Sequence, residues 1–303
     1  MTVVVALLAE LLHCALVLAA APLAIGLRRW TEALLGRRRG PDPWQPWRDL
    51  RRLLRKRPVL AENASPLFRA APIACFAATA LAAALVPSFT LGMAFARLSD
   101  LLVLGGLLAL ARGVLALAAL DAGTAPAGLA AARAASLACL AEPGIFLVIL
   151  ALGLLGGTTN LDLLIGLQVQ GMLQPVAAVA LTAAALATLA LAGPGPTGQT
   201  AEFSGYDLAL VDLAEALRQL VWLDLLAGLF LPLGMAEPGD GILGWTVGLL
   251  AWGAKLLVLT AILATLRCAT GDLASARKPQ ALGIAAILGL LAALLVLASA
   301  VTA

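Results

Sequence analysis

Charge is scarce in this chain. Only 12% of its 303 residues are charged, against 62% hydrophobic, and the mean hydropathy is +1.00. A soluble domain of that composition could not cover its own surface, so one is excluded. Histidine occurs once, at His13, and the four cysteines, Cys14, Cys75, Cys139 and Cys268, are scattered with no C-x-x-C pair. Iron–sulfur and zinc sites need clustered thiolates or imidazoles. No cofactor in this chain is therefore expected, and the thiols read as buried structural groups. Alternating ten-residue segments are missing, which excludes a transmembrane β-barrel. Internal repeats and paired broken helices are missing too, which argues against an independent transporter. The N-terminus has no basic leader, and Glu10 and His13 interrupt its first apolar run, so a cleaved signal peptide is not expected.

What remains is long apolar sequence. Runs of about the 20 residues a bilayer requires fall at about 3–27, 67–88, 100–120, 128–156, 171–192, 207–234, 241–266 and 282–302. The fold class is an all-α polytopic membrane protein with about eight transmembrane helices, residues 1–303 forming a single integral membrane domain. Of the 20 basic residues, eleven lie between Arg28 and Arg57. Eight crossings put that segment on the same side as Arg277 and Lys278, while the opposite loops hold only Arg97 as a clear basic residue. The positive-inside rule then makes the basic segment cytoplasmic and both termini extracytoplasmic. The basic patch thus belongs to the membrane surface, and nucleic acid is not an expected partner.

Within the basic segment, Asp42-Pro43 reads as a helix start, with Gln45 at the capping-box position. An interfacial amphipathic helix is expected over about 43–57. Trp44, Trp47, Leu50, Leu53 and Leu54 would share one face and the arginines the other, the tryptophans lying at headgroup level.

Ionisable residues inside the spans are the remaining chemistry: Glu10, Arg112, Arg133, Glu142, Asp212, Glu215, Arg218, Asp224 and Lys255. Each is costly in hydrocarbon and so marks a candidate function. Glu215 shares a helix face with both Asp212 and Arg218. Glu142 precedes Pro143, next to a freed backbone carbonyl. Carboxylates and cations spread over several helices are what a proton path or charge relay requires. Buried ion pairs that fix helix docking are the plainer alternative.

The segments Arg38-Arg39-Gly40-Pro41, Gln45-Pro46, Arg48-Asp49-Leu50 and Leu53-Leu54 resemble the first cytoplasmic segment of the formate hydrogenlyase subunit 4 and complex I subunit 1 family. The likeness continues through Ala111-Arg112, Leu120-Asp121-Ala122-Gly123, Ala132-Arg133 and Glu142-Pro143. It returns in Glu202-Phe203-Ser204-Gly205, Leu217-Arg218-Gln219-Leu220-Val221, Leu229 to Gly234 and Lys255-Leu256. Asp121-Ala122-Gly123-Thr124 resembles a turn of the hydrogenase-type branch. The resemblance implies a subunit without a redox centre, which anchors a peripheral arm carrying iron–sulfur clusters and often a NiFe site. Its expected partners are peripheral hydrogenase-like and iron–sulfur subunits, antiporter-like membrane subunits and the lipid bilayer. It also implies a relay of Glu142, Glu215, Arg218 and Lys255 near mid-membrane, reached from the cytoplasm past Arg133, Arg112 and Asp121. The docking face implied for the arm comprises Arg39, Gly40, Pro41, Trp44, Gln45, Arg48, Asp49, Arg51, Arg52, Arg55 and Glu202.

Three positions depart from the family pattern. The acidic stretch before E-F-S-G is replaced by the uncharged Gly193–Thr200. Ala134 stands where a glutamate is usual, and Arg267 with Asp272 resembles a family glutamate–arginine pair with its signs exchanged. A quinone-site subunit would want the missing acidic stretch. A scaffold with lapsed coupling is the further alternative.

Overall fold

The computed structural model describes residues 3–59, 65–192, 198–237, 240–270 and 277–302. Among them there is no strand, only isolated bridges. The helices are α1 (Val3–Leu35), α2 (Gln45–Leu54), α3 (Pro66–Leu85), α4 (Leu101–Asp121) and α5 (Ala125–Gly156). The second half contains α6 (Leu161–Val169), α7 (Val176–Ala192), α8 (Gly205–Phe230), α9 (Gly241–Thr270) and α10 (Lys278–Thr302). Six of these are long and apolar enough to cross a bilayer: α1, α3, α4, α5, α9 and α10. The shorter apolar α7 and the charge-bearing, 26-residue α8 fall where the other two spans were expected, so the eight-helix count is roughly consistent.

Boundaries follow local chemistry. The Ser65 hydroxyl accepts from the Leu67 and Phe68 amides at 3.1 and 3.4 Å, with Pro66 opening α3. Thr124 caps α5 in the same way, and the left-handed Gly157 (φ 65°) ends it. α1 runs eight residues past its expected end at 27, carried by an Arg28–Glu32 pair at 3.8 Å. The expected fifth span, 171–192, is shorter, starting only after Pro175, and residues 161–169 form α6 instead.

The centre of the fold is α8, sixteen of whose 26 residues are buried. A helix surrounded on all sides must be apolar on all sides except where charges find partners. Leu217, Leu220, Val221, Leu223, Leu225 and Leu229 supply that packing within the main core cluster. α10 packs on α5 and α7, α3 on α4 and α8, and α1 on α9 and α8.

The interfacial helix is present but two residues later and shorter than expected. Asp42 does not cap it through a helix N-terminus: its carboxylate accepts from the Trp44 amide at 3.1 Å and pairs with Arg48. Gln45 makes no capping box, donating to Asp49 at 3.2 Å instead. The apolar face is also divided. Leu50 is buried against the protein, whereas Trp44 and Leu54 are 57% and 54% exposed. The reason is that α2 lies on α1 and α8, so protein covers one side of the helix and leaves the flanks to the interface. Trp47 fixes the seat by donating to the Ala19 carbonyl at 3.2 Å. Gly26 permits it, since a Cβ there would sit 1.9 Å from the Pro43 carbonyl oxygen.

The face opposite α2 is closed by loops. His13 of α1 is fully buried, with Nδ1 2.7 Å from the Ser88 hydroxyl and Nε2 3.1 Å from the Ala83 carbonyl. The carbonyl can only accept, so Nε2 carries the proton and the serine donates to Nδ1. Glu10 accepts from the Phe95 amide at 3.2 Å, and Asp100 from the Thr159 hydroxyl at 2.5 Å. The Asp162 carboxylate accepts from the Gly92 amide at 3.0 Å; burial pushes its pKa up, and that amide opposes the shift.

Candidate functional site

Two cavities meet at α8. The first, of about 200 Å³, lies at the basic face between α1, α2, α8 and α9, and its walls include Arg28, Arg29, Asp49, Asp212 and Arg267. The second, of about 240 Å³, lies between α4, α5, α8 and α10, and its walls include Arg112 and Glu142. Glu215, Arg218 and Trp222 line both. They are three, four and seven positions apart on one helix, so they share one face. The Arg218 side chain is 9% accessible and ion-paired with Glu215, which retains 30%. A buried guanidinium needs such a partner, because alone it would forfeit several kcal/mol of hydration.

Arg112 and Glu142 face each other across α4 and α5 at 3.9 Å, with side chains 16% and 44% accessible. The Nε and Nη2 atoms of Arg112 are buried without a hydrogen-bond partner. They border a cavity with room for several water molecules, which need two or more polar partners each to be held. The second cavity therefore combines two guanidiniums, two carboxylates and space for solvent in the middle of the bundle.

Not every expected member joins this group. Lys255 lies on the α9 side of α8, where its charge acts on Asp224. Asp224 is 3% exposed and accepts from the Trp252 indole at 2.8 Å. Asp224 is the residue whose role the sequence alone undervalued. Trp252 and Lys255 stand three apart on α9, a spacing that puts an N–H donor and a cation on one face. Arg133 is exposed and lines neither cavity. Asp121, at the end of α4, accepts from the Ser65 amide at 3.3 Å.

On the basic face, Arg39, Pro41, Trp44, Arg48, Arg51, Arg52 and Arg55 are exposed. Asp49 turns inward, pairing with Arg52 at 3.6 Å and lining the first cavity. Gly40 packs against α1, where a Cβ would lie 3.1 Å from Ala33 and from the Trp30 carbonyl. Glu202-Phe203-Ser204-Gly205 also folds inward. Glu202 accepts from Thr124 at 2.6 Å, and Phe203 stacks on Phe68 with ring centres 4.7 Å apart. Ser204 accepts from the Val59 amide at 2.7 Å. Gly205 has φ +59°, and a Cβ on it would lie 2.6 Å from Arg57 backbone atoms. That motif is a clasp joining the segments before α3, α5 and α8. Of the departures noted in the sequence, residues 193–197 and Asp272 lie outside the described residues; Arg267 lines the first cavity.

Among the described residues, no three or more His, Cys, Asp or Glu side chains gather to hold a metal ion. Cys75 is buried as expected, but Cys139 and Cys268 are exposed, because the α5 and α9 faces that carry them are not covered by this chain.

Fold and site together define a multi-pass membrane protein whose buried ion pairs open toward one basic face. The NADH dehydrogenase family matches residues 8–299. Hydrogenase-4 component C of Escherichia coli is 33% identical over 71% of this chain and 72% of its own length. Formate hydrogenlyase subunit 4 of the same organism is 31% identical over 75% of this chain and 78% of its own. The chain belongs to the NADH dehydrogenase (complex I subunit 1-like) family, in its hydrogenase-type branch. Its fold is shared with a chain of the membrane-bound sulfane sulfur reductase, an archaeal respiratory membrane complex. That chain has a TM-score of 0.70 and 19% identity over 94% of this chain and 98% of its own.

Proposed function

We propose that this protein is the membrane-anchoring, ion-coupling subunit of a hydrogenase-type complex related to complex I. The observation that carries the reading is the meeting of the two cavities at Glu215, Arg218 and Trp222. The pair stands between a chamber open at the basic face and a chamber holding Arg112 and Glu142. A proton or charge displacement at that face can therefore be passed inward by re-pairing of neighbouring ions. Asp224 and Lys255 on the far side of α8 extend the same chain of charges toward α9. Arg133 and Asp121 take no part in that route in this reading.

The exposed Arg51, Arg52 and Arg55, with Arg39, Arg48 and Trp44 beside them, form the seat of a peripheral arm. Iron–sulfur clusters and a NiFe site would reside in that arm, and antiporter-like subunits would receive the coupled charge within the membrane. With the basic face cytoplasmic, both termini lie outside the cytoplasm and the complex sits in the cytoplasmic (inner) membrane. The test is Glu142→Gln and Lys255→Met in the assembled complex. Each should assemble normally and lower ion translocation per turnover of the peripheral redox reaction. If neither changes either rate, the relay is refuted and a scaffold remains.

A further inference from the structure

Asp224 lies six residues beyond Arg218 on α8, about 9 Å further from the basic face and about 240° round the helix axis. It therefore faces α9 and lines neither of the two cavities. Leu223, Leu225 and Leu256, next to Asp224 and Lys255 in sequence, are buried in the apolar core. Among the described residues the hydrogen-bond donor to Asp224 is the Trp252 indole, 2.8 Å from one carboxylate oxygen. Lys255, half-buried three positions along α9 from Trp252, acts on Asp224 through its charge. Yet it makes no ion pair with Asp224 or with any other described carboxylate. One carboxylate thus stands before a neutral donor that touches it and a cation that does not.

Opposite charges in apolar surroundings attract strongly. A contact pair formed there is hard to separate, because each ion would be left uncompensated. Such a pair would hold Lys255 in place. An indole N–H is a donor without charge, so it satisfies the carboxylate without cancelling it. The backbone fixes where that donor stands. Gly248, one turn before Trp252, lies so close to Phe89 that a Cβ would fall 2.4 Å from the Phe89 carbonyl oxygen. A Cβ on Gly234 would likewise lie 2.7 Å from the Ala251 methyl, and Trp252 itself is buried. We propose that Trp252 is a positioning residue of the charge route. Its indole N–H holds the Asp224 carboxylate clear of Lys255, so the ammonium can change partners instead of locking into a contact pair. This rests on the proposed relay.

The test uses the intact complex in inverted native membrane vesicles, with ion translocation read per turnover of the peripheral redox reaction. At position 252, β-(3-benzothienyl)alanine keeps the size and shape of tryptophan but has no N–H, and Trp252→Phe is the companion variant. Each should lose translocation to the extent that Lys255→Met does. Combined with Asp224→Asn, neither should lower it further than Asp224→Asn alone, since a donor has nothing left to position once its charged acceptor is gone. Full translocation in the benzothienyl variant or in Asp224→Asn, with Lys255→Met impaired, would overturn the inference and leave the relay standing. Losses at 252 and 224 that multiply would make Trp252 a packing residue only, which also overturns it. Full translocation in Lys255→Met overturns it too, and if Glu142→Gln is equally silent the relay falls with it.

Discussion

Replacing Glu215 by glutamine probes how tightly the centre of the bundle depends on its ion pair. Arg218 is 9% accessible, and Glu215 is its ion-pair partner on α8. Breaking a buried pair from one side typically costs 3–5 kcal/mol, because the remaining charge is left uncompensated. Glu215 keeps 30% of its side chain accessible, so water screens part of the loss and about 3 kcal/mol is expected, the low end of that range. Glu215→Gln combined with Arg218→Met removes both charges and leaves residues of similar length. The double variant should recover most of the stability, since buried pairs exchanged for apolar groups are often neutral. The assay is thermal unfolding of the detergent-solubilised chain for wild type, both single variants and the double. A coupling energy of about 1 kcal/mol or more, well above the few tenths expected of independent sites, supports the pair. Additive losses with no recovery would refute the claim that these two residues stabilise each other.

Three further outcomes are expected. Reversing charge at Arg51, Arg52 and Arg55 together should detach peripheral subunits while the chain still inserts; normal assembly would leave α2 with lipid contact only. Gly205→Ala forces an L-residue into a left-handed conformation costing about 1–2 kcal/mol and drives a Cβ into the Arg57 backbone. It should speed tryptic cleavage after Lys56, and an unchanged digestion rate would show that the clasp is dispensable. A reporter fused after Ala303 should act as extracytoplasmic and one inserted near Asp49 as cytoplasmic; the same response from both would mean that an even number of helices separates residue 49 from the C-terminus, and the eight-span reading would fall.

The spans were legible because a bilayer imposes its thickness on apolar length, and Ala- and Leu-rich runs such as α4 and α10 state that length directly. Which faces meet was less legible. Helices that are apolar on every side carry no stripe to mark a neighbour, so Lys255 could not be assigned to Asp224 rather than to Glu142 from spacing alone. The pairing of Glu215 with Arg218 was readable because it lies within one helix. Motifs marked the family but did not state their local contacts. Glu202 was expected at the docking face, and the structure adds what spacing could not show: the glutamate, aromatic ring and hydroxyl of Glu202 to Ser204 contact other parts of this same chain, and Gly205 lies against the Arg57 backbone. Asp42 and Gln45 likewise had the composition of a cap but spend their side chains on Trp44, Arg48 and Asp49.

The loops that close the face opposite α2 bear on how voltage is felt. Below them, the void outward of the second cavity measures only about 30 Å³ and is lined by apolar side chains such as Leu104, Val148, Ile149, Leu152 and Leu229. A polar well open to one face and a dry plug beneath it divide the membrane unequally. Most of a transmembrane potential then drops across the plug rather than the well. Charges at Glu215 and Arg218 sit close to the potential of the basic face, while a charge displaced past Asp224 crosses most of the field, at up to about 2.3 kcal/mol per 100 mV. Were the chain to couple charge as proposed, the insulated half of the fold would be the part where that charge does electrical work.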